Sequence, residues 1–534
     1  MRVNLSSGFK TQFLGVIPYL KDDSGALKPE EIVSLSGILT FRGYTLKDIL
    51  RRMKIRKESL KEKVKAILQA SSLRGHASMS TTPSLCLTFE GSKFLDSSLT
   101  GIIFSSSMMA SGRRTDTSIK DIIYPDGVFK KTKCQKIYRE VSRNIIETFN
   151  YFLSNGAPKD DASKILQYGI HGTGIIQLPI ESIVAISREY ESEKEWMPEE
   201  VGILLKQIKN YLKKQGVGQL FATRQAAPAA FYPYPNIFKD PSKPNLVRSF
   251  AQKQKSLTEP KLISFEALIT PEFKRKMKRF ENELKVMASS LKRTKIGWQK
   301  LLQSRQEILR DYYLSLNFKF LSSVAWRVWG EKKRHRTCPM IIESIYYSIE
   351  RTAKIFQSFK KRIERGRINE KMEEGISRVF SIPPSIKNNK VFLTRYLTVA
   401  LKSFDAYKKL LRMGIKPREA IFLIPRAVKI DVLQEYNFYN LLAGYYPLRL
   451  CSTVEEELRT NTLKEVSILK GVLEKKKLRW LSKIILPKCG LLGFCPERES
   501  CGQVKIVVEK YDRESHEEMA KELNRNFKKN LANI

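Results

Sequence analysis

The sequence predicts an α+β fold in two tandem halves, each a small sheet packed with long helices. Three observations predict it. A 534-residue chain that is 42% hydrophobic and 10% aromatic holds apolar material for roughly two to four cores. A proline-rich stretch from Gln225 to Leu262 carries Pro228, Pro233, Pro235, Pro241, Pro244 and Pro260 and splits the chain into parts of comparable length. Proline fixes φ and removes a donor, so this stretch reads as extended connector. The two parts also share a layout of short strands alternating with helices, which points to an α+β or α/β class.

Taken in order, "FLGVIPYL" opens the N-terminal part as a short strand, and "TLKDILRRMKIRKESLKEKVKAILQAS" follows with helical periodicity. A second amphipathic helix runs through "CQKIYREVSRNIIETFNYFLSNG" and stops at Gly156, a residue suited to the left-handed turn after a helix. The C-terminal part opens with a long basic helix from Glu272 to Tyr313. A strand in "YLSLNFKFLSSVAW", a basic segment and a helix in "SIERTAKIFQSFKKRIERG" come next. Each part has a doubled-arginine element, "SGRRTDTS" and "KRHRTCPM", then a long helix, then "NGAPKDDASKIL" or "MGIKPREAIFLIP". Each closes on a carboxylate-rich segment, "REYESEKEWMPEE" or "LRLCSTVEEELR". The tail from Val504 reads as a short strand and an amphipathic helix suited to packing or oligomer contact. The expected domains are residues 1–224, a linker at 225–262, residues 263–480, and a cysteine-containing loop and tail at 481–534.

The net charge of +41, from 96 Lys and Arg against 55 Asp and Glu, is spread along the chain. Such a surface attracts nucleic acid, anionic nucleotides or acidic partners, and it carries no information on fold. No stretch approaches the ~18 apolar residues of a membrane helix, and "MRVNLSSGFKTQFLGVIPYL" lacks a secretory core, so the expected location is the cytoplasm. Seven cysteines without a signal argue for free thiols or a metal site over a disulfide framework. Cys489, Cys495 and Cys501 stand at equal steps in a Gly/Pro-containing loop, where thiolates hold zinc or an iron–sulfur cluster, or stay free. A fourth ligand would come from Cys451, Cys338 or His516.

The segment "KKRHRTCPMIIESIYYS", Lys332 to Ser348, is either a solvated basic face, a nucleic-acid patch or a phosphate grip. Its register decides. Arg334-His335-Arg336, seven residues and Ser344 reproduce the RHR-x7-S pattern of the flavin-dependent thymidylate synthases. Phe318-Lys319-Phe320 ends fourteen residues before Arg334, where that family has an F-x-F strand. "LRLCSTVEEELR" resembles the family's L-R-x4-A-Q-x-E-I-R segment at Leu448, Arg449, Glu457, Leu458 and Arg459. In the N-terminal part, "GHASMSTTPSLCLTF" resembles the G-H-x-S/T stretch before the F-x-F strand. The chain thus resembles a tandem, diverged two-copy member, over residues 70–200 and 305–465. Of the four histidines, His76 and His335 fall inside these motifs, whereas His171 and His516 read as structural or exposed.

The resemblance implies methylation of dUMP to dTMP with methylenetetrahydrofolate and NADPH through FAD, in a homodimer that mimics a tetramer. By position, Arg334 would contact the nucleotide and Ser344 its phosphate. Arg336, His335, His76 and Ser78 would line flavin sites. Arg449 would polarise the pyrimidine as charge develops on it; alternatively Arg449 and Arg459 pair with Glu455 to Glu457 on an exposed helix. The departures from the pattern are Tyr346 for a phosphate arginine, Ile342 for an acid, Glu331 for a glutamine, Thr81 for an acid, and Phe438 and Asn440 for the N-x-R pair. Two other readings follow from these departures and the charge. One is an inactive homologue that binds nucleic acid or nucleotide through its basic surface. The other is a flavoenzyme that methylates a nucleotide within RNA.

Overall fold

The computed structural model describes residues 3–22, 25–111, 116–252, 258–289 and 297–533. The arginine pair at 113–114 lies outside these residues. The chain divides into two compact units that interleave along it. The first comprises 1–244, 325–334 and 343–430; the second comprises 245–324, 335–342 and 431–534.

In the first unit, β1 (Lys10–Ile17), β2 (Ser84–Ser92), β3 (Ser106–Met109) and β4 (His171–Pro179) form an antiparallel sheet in the order β1-β2-β4-β3. Leu85, Leu87 and Phe89 alternate along β2 and are buried, so one face of the central strand packs inward. Helices Leu46–Ile55 and Leu60–Ala70 occupy the expected stretch, each started by a hydroxyl cap, Thr45 or Ser59. α1 (Phe94–Leu99) leaves β2 directly. α2 (Thr132–Ser154) buries Tyr138, Val141, Ile145, Phe149 and Phe152, the three- and four-residue spacing of a helix with one apolar face. It ends at Asn155, and Gly156 takes φ +85, the left-handed conformation expected of it. The unit continues with α3 (Trp326–Lys332), α4 (Ile345–Ser358) and α5 (Lys390–Arg412). Phe152, near the end of α2, packs on Phe392 of α5 at 5.1 Å between ring centres.

The second unit holds β5 (Lys261–Ala267), β6 (Leu316–Ala325), β7 (Met340–Ile342) and most of β8 (Lys429–Asn437), in the order β5-β6-β8-β7. In chain order this is the same arrangement as the first sheet: first strand at the edge, second and fourth central, third at the far edge. The likeness extends to boundaries. α2 and α5 are both 23 residues, Lys159–Ala162 and Pro417–Ala420 both four, and β4 and β8 both nine. From Thr132 to Pro179 and from Lys390 to Asn437, these elements start and stop at one constant separation. Phe318 and Phe320 on β6 are fully buried against Tyr436 of β8, Tyr446 and the apolar face of α6 (Glu456–Lys475). Each phenylalanine contributes roughly 2–3 kcal/mol through burial.

Three expectations are corrected. The helix expected over 272–313 is two helices, Pro271–Ser289 and Gly297–Tyr312, with 290–296 outside the described residues. The proline-rich connector contains helix Leu246–Gln252, which fits in the proline-free interval and buries Val247. The strand expected at Val504 is a 3-10 turn, Gln503–Ile506, because Val504 and Val508 are buried together at helical spacing rather than alternating. The tail helix, Arg513–Ala532, forms as expected behind the Asp512 cap. Among the described residues no helix is long and apolar enough to cross a membrane.

Candidate functional site

In the second unit, His335 sits just before β7 and Arg449 ends the short helix Tyr446–Arg449, which follows a π-helical turn at Asn440–Gly444. Such turns recur at functional sites. Arg449 Nε donates to His335 Nε2 at 2.7 Å, and His335 Nδ1 lies 2.9 Å from the Gly444 carbonyl. Since Arg449 can only donate, Nε2 accepts, and the ring proton must sit on Nδ1 and point at Gly444. The imidazole is therefore neutral, and it fixes the plane of the guanidinium. Tyr445 meets its ring edge-on at 4.9 Å. Arg336 is half-buried beside it. Arg459 donates to the Leu450 carbonyl at 3.3 Å, and Glu455 caps α6 through Leu458 N. Arg449 thus has a histidine contact that the sequence alone did not show.

Two of the departures in this unit, Phe438 and Asn440, are structural fillers. Phe438 is fully buried in the core. Asn440 exchanges hydrogen bonds with Asn437 and donates to Thr337 Oγ1 at 2.9 Å, holding the turn before Gly444. Neither position offers a cofactor an arginine or a free amide.

In the first unit, Arg334 follows α3 and reaches Asp96, with Nη2 3.2 Å from both carboxylate oxygens. Ser344 is buried at the start of α4, and its hydroxyl donates to the Lys239 carbonyl at 2.6 Å, so it is not presented to a phosphate. Tyr346 is buried too and donates to the Trp196 carbonyl; burial pushes its hydroxyl pKa well up. It packs where the sequence pattern would have an arginine.

His76 and Ser78 are exposed on the segment between helix Leu60–Ala70 and β2. Gly75, Ala77 and Thr81 of that segment line a cavity of about 270 Å³ walled by Phe104, Phe231 and Tyr234. Arg224 forms a two-pronged bond with Glu181, at 2.8 and 2.7 Å, and donates to the Gly75 carbonyl at 3.1 Å. Phe231 lies against both Arg188 and Arg224, each 4.7 Å from its ring centre. The Tyr234 hydroxyl is buried and has no hydrogen-bond partner among the described residues. Aromatic walls and an unsatisfied hydroxyl beside His76 and Ser78 suit a planar heteroaromatic ring. Arg224, Phe231 and Tyr234 escaped the sequence reading because they stand in or beside the proline run. The signal was "FYPYP", where aromatics alternate with proline.

The metal expectation is corrected. Among the described residues no group of three His, Cys, Asp or Glu is arranged to hold a metal ion. Cys489 and Cys495 are buried free thiols, while Cys501 is exposed. Burial and then the neighbouring thiols Cys495, Cys451 and Cys501 push Cys489 up to about 11.

Comparison with known proteins locates the family likeness. Residues 312–473 match the model of the thymidylate synthase complementing protein family. A flavin-dependent thymidylate synthase of Pyrococcus abyssi is 31% identical over 129 residues, covering 24% of this chain and 51% of the relative. Its Pyrococcus furiosus counterpart is 29% identical over the same length and coverage. The chain thus spans about half the length of the curated relatives it matches. Among solved structures, a UMP/dUMP methylase from Streptomyces cacaoi bound with 5-Br dUMP covers 42% of this chain and 98% of its own, at 11% identity and a TM-score of 0.32. The Helicobacter pylori flavin-dependent thymidylate synthase complexed with FAD and dUMP covers 41% and 97%, at 14% identity and a TM-score of 0.26.

Proposed function

We infer from the likeness over residues 312–473 that the chain is a relative of the flavin-dependent thymidylate synthases, and the activity from that. The reading is an FAD-dependent enzyme that methylates dUMP at C5, with methylenetetrahydrofolate as carbon donor and NADPH as reductant. The observation that carries it is the Arg449–His335 couple, inside the matched segment and oriented by a neutral imidazole. Bound FAD supplies the hydride chemistry that reduces the transferred carbon. The chain's own residues bind, orient and polarise. Arg449 would polarise a pyrimidine oxygen on which negative charge grows, its guanidinium oriented by the bond from Nε to His335. In the first unit the exposed His76 and Ser78, with the Tyr234 hydroxyl, would hold a flavin ring against the aromatic walls of their cavity. Arg334 is the nucleotide residue, and His335 and Arg336 are flavin neighbours.

We further propose that residues 1–224 and 263–480 are tandem copies. The shared strand order and the constant separation of matched elements support this. A second reading, methylation of a uracil within RNA, is favoured by the +41 charge. The test is the visible spectrum of the purified protein with FAD, then with dUMP. Flavin uptake perturbed by dUMP supports the reading. A protein that takes up no FAD refutes it, and RNA affinity that falls steeply with salt and exceeds dUMP affinity favours the RNA substrate.

A further inference from the structure

Three cations of the first unit are buried close to the exposed end of α3. Lys333 is 1% exposed, Arg426 2% and Lys93 6%. The half-exposed Arg334 reaches the Asp96 carboxylate, whose charge also acts on Lys93, Lys333 and Arg426. Their hydrogen bonds go mostly to neutral carbonyls. Lys333 Nζ donates to the carbonyls of Asp96 and Ser97, at 2.5 and 2.8 Å, and lies 4.5 Å from the Trp329 ring centre. Lys93 Nζ donates to the Ala110 carbonyl at 2.9 Å. Arg426 Nε donates to the Gln167 carbonyl at 3.2 Å, and its guanidinium lies 4.9 Å from the Tyr168 ring centre. Arg426 Nη2 is buried with no hydrogen-bond partner among the described residues. Arg327 reaches Asp160 at 3.2 Å, and Asp121, which accepts from Ser118 at the adjacent turn, is a second negative charge acting on Lys93.

A buried cation without a counter-ion either finds an anion or gives up its proton. Both lysines show that tension. Burial, above all, lowers Lys333 to about 7 and Lys93 to about 8. Four cations against two carboxylates, Asp96 and Asp121, leave an excess that suits a doubly charged oxyanion, and guanidinium forks match phosphate oxygens.

We propose that Lys93, Lys333, Arg334 and Arg426 form a phosphate site, in which Asp96 is the internal counter-ion that a phosphate monoester displaces from Arg334. The site lies at the junction of α1, α3 and the start of β8, and only Arg334 belongs to the RHR segment. That the phosphate belongs to dUMP rests on the activity proposed above; the phosphate chemistry stands without it.

Calorimetric titration of the full chain with inorganic phosphate, dUMP and deoxyuridine tests this, using Arg334→Gln and Asp96→Asn. Phosphate and dUMP should bind, with deoxyuridine much weaker. Losing a charge-assisted bond in Arg334→Gln should weaken phosphate about tenfold or more. Asp96→Asn removes the competing carboxylate and should tighten it, a gain that misfolding cannot mimic. Absence of phosphate binding, or binding indifferent to both substitutions, overturns the site. Binding of dUMP unaffected by either variant, or matched by deoxyuridine, overturns the site and leaves the dUMP reading standing. Phosphate binding with the expected responses, but no dUMP binding, supports the site and refutes the dUMP assignment.

Discussion

Arg449 and His335 lie more than a hundred residues apart, yet one hydrogen bond sets the tautomer of one and the plane of the other. Arg449→Ala is predicted to leave FAD uptake unchanged while turnover falls roughly 10²–10³-fold, the usual loss when a donor to developing charge is removed; steady-state assays on the flavin-loaded protein check it. His335, Arg449 and Arg334 were legible in the sequence because motif spacing survives divergence. Lys93 and Arg426 were not, since a charge excess is created only when distant chain segments meet. Glu200 was equally hidden. It is fully buried, accepts from the Ser92 amide and hydroxyl, and burial raises it from 4.5 to about 7. A raised carboxyl pKa gives stability that is full below 4.5 and is lost as pH rises through about 7. Glu200→Gln does not titrate. The wild type should therefore lose on the order of 3 kcal/mol relative to this variant between pH 4.5 and 8, read by urea denaturation at each pH.

Among the elements, α2 and α5 show how far sequence patterns reach. Apolar spacing and Gly156 marked α2 in the sequence, and Gly156 and Gly414, which follows α5, both take positive φ, +85 and +74. Gly156→Ala and Gly414→Ala should each cost about 1–2 kcal/mol, and similar losses of thermal stability would fit matched positions in two copies. The F-x-F strand was equally plain, and its physical role is packing: Phe318→Ala should cost about 3–5 kcal/mol in denaturant melts. Val504 to Val508 misled because so short a stretch, apolar but for Lys505, carries either period, and burial of residues four apart chose the turn. The long basic helix misled because periodicity does not show that its two ends meet, with Phe273 stacked on Tyr312 at 5.0 Å between ring centres.

At the scale of the whole molecule, proline content located the connector, whereas the compact units cut the chain elsewhere and interleave. That arrangement is invisible to a linear reading, because α3, α4 and α5 follow β6 in sequence yet join the first unit. The sheet order was beyond the sequence as well, since strand pairing depends on contacts between distant segments. The identical order of the two sheets is the whole-molecule counterpart of the paired motifs. The central claim is that this molecule replaces the hydrogen on C5 of dUMP with a methyl group. Release of tritium from dUMP labelled at C5 tests it most directly. The account predicts release that requires FAD, NADPH and methylenetetrahydrofolate and that is lost in Arg449→Ala. A flavin-loaded wild type that releases no tritium under those conditions would contradict it.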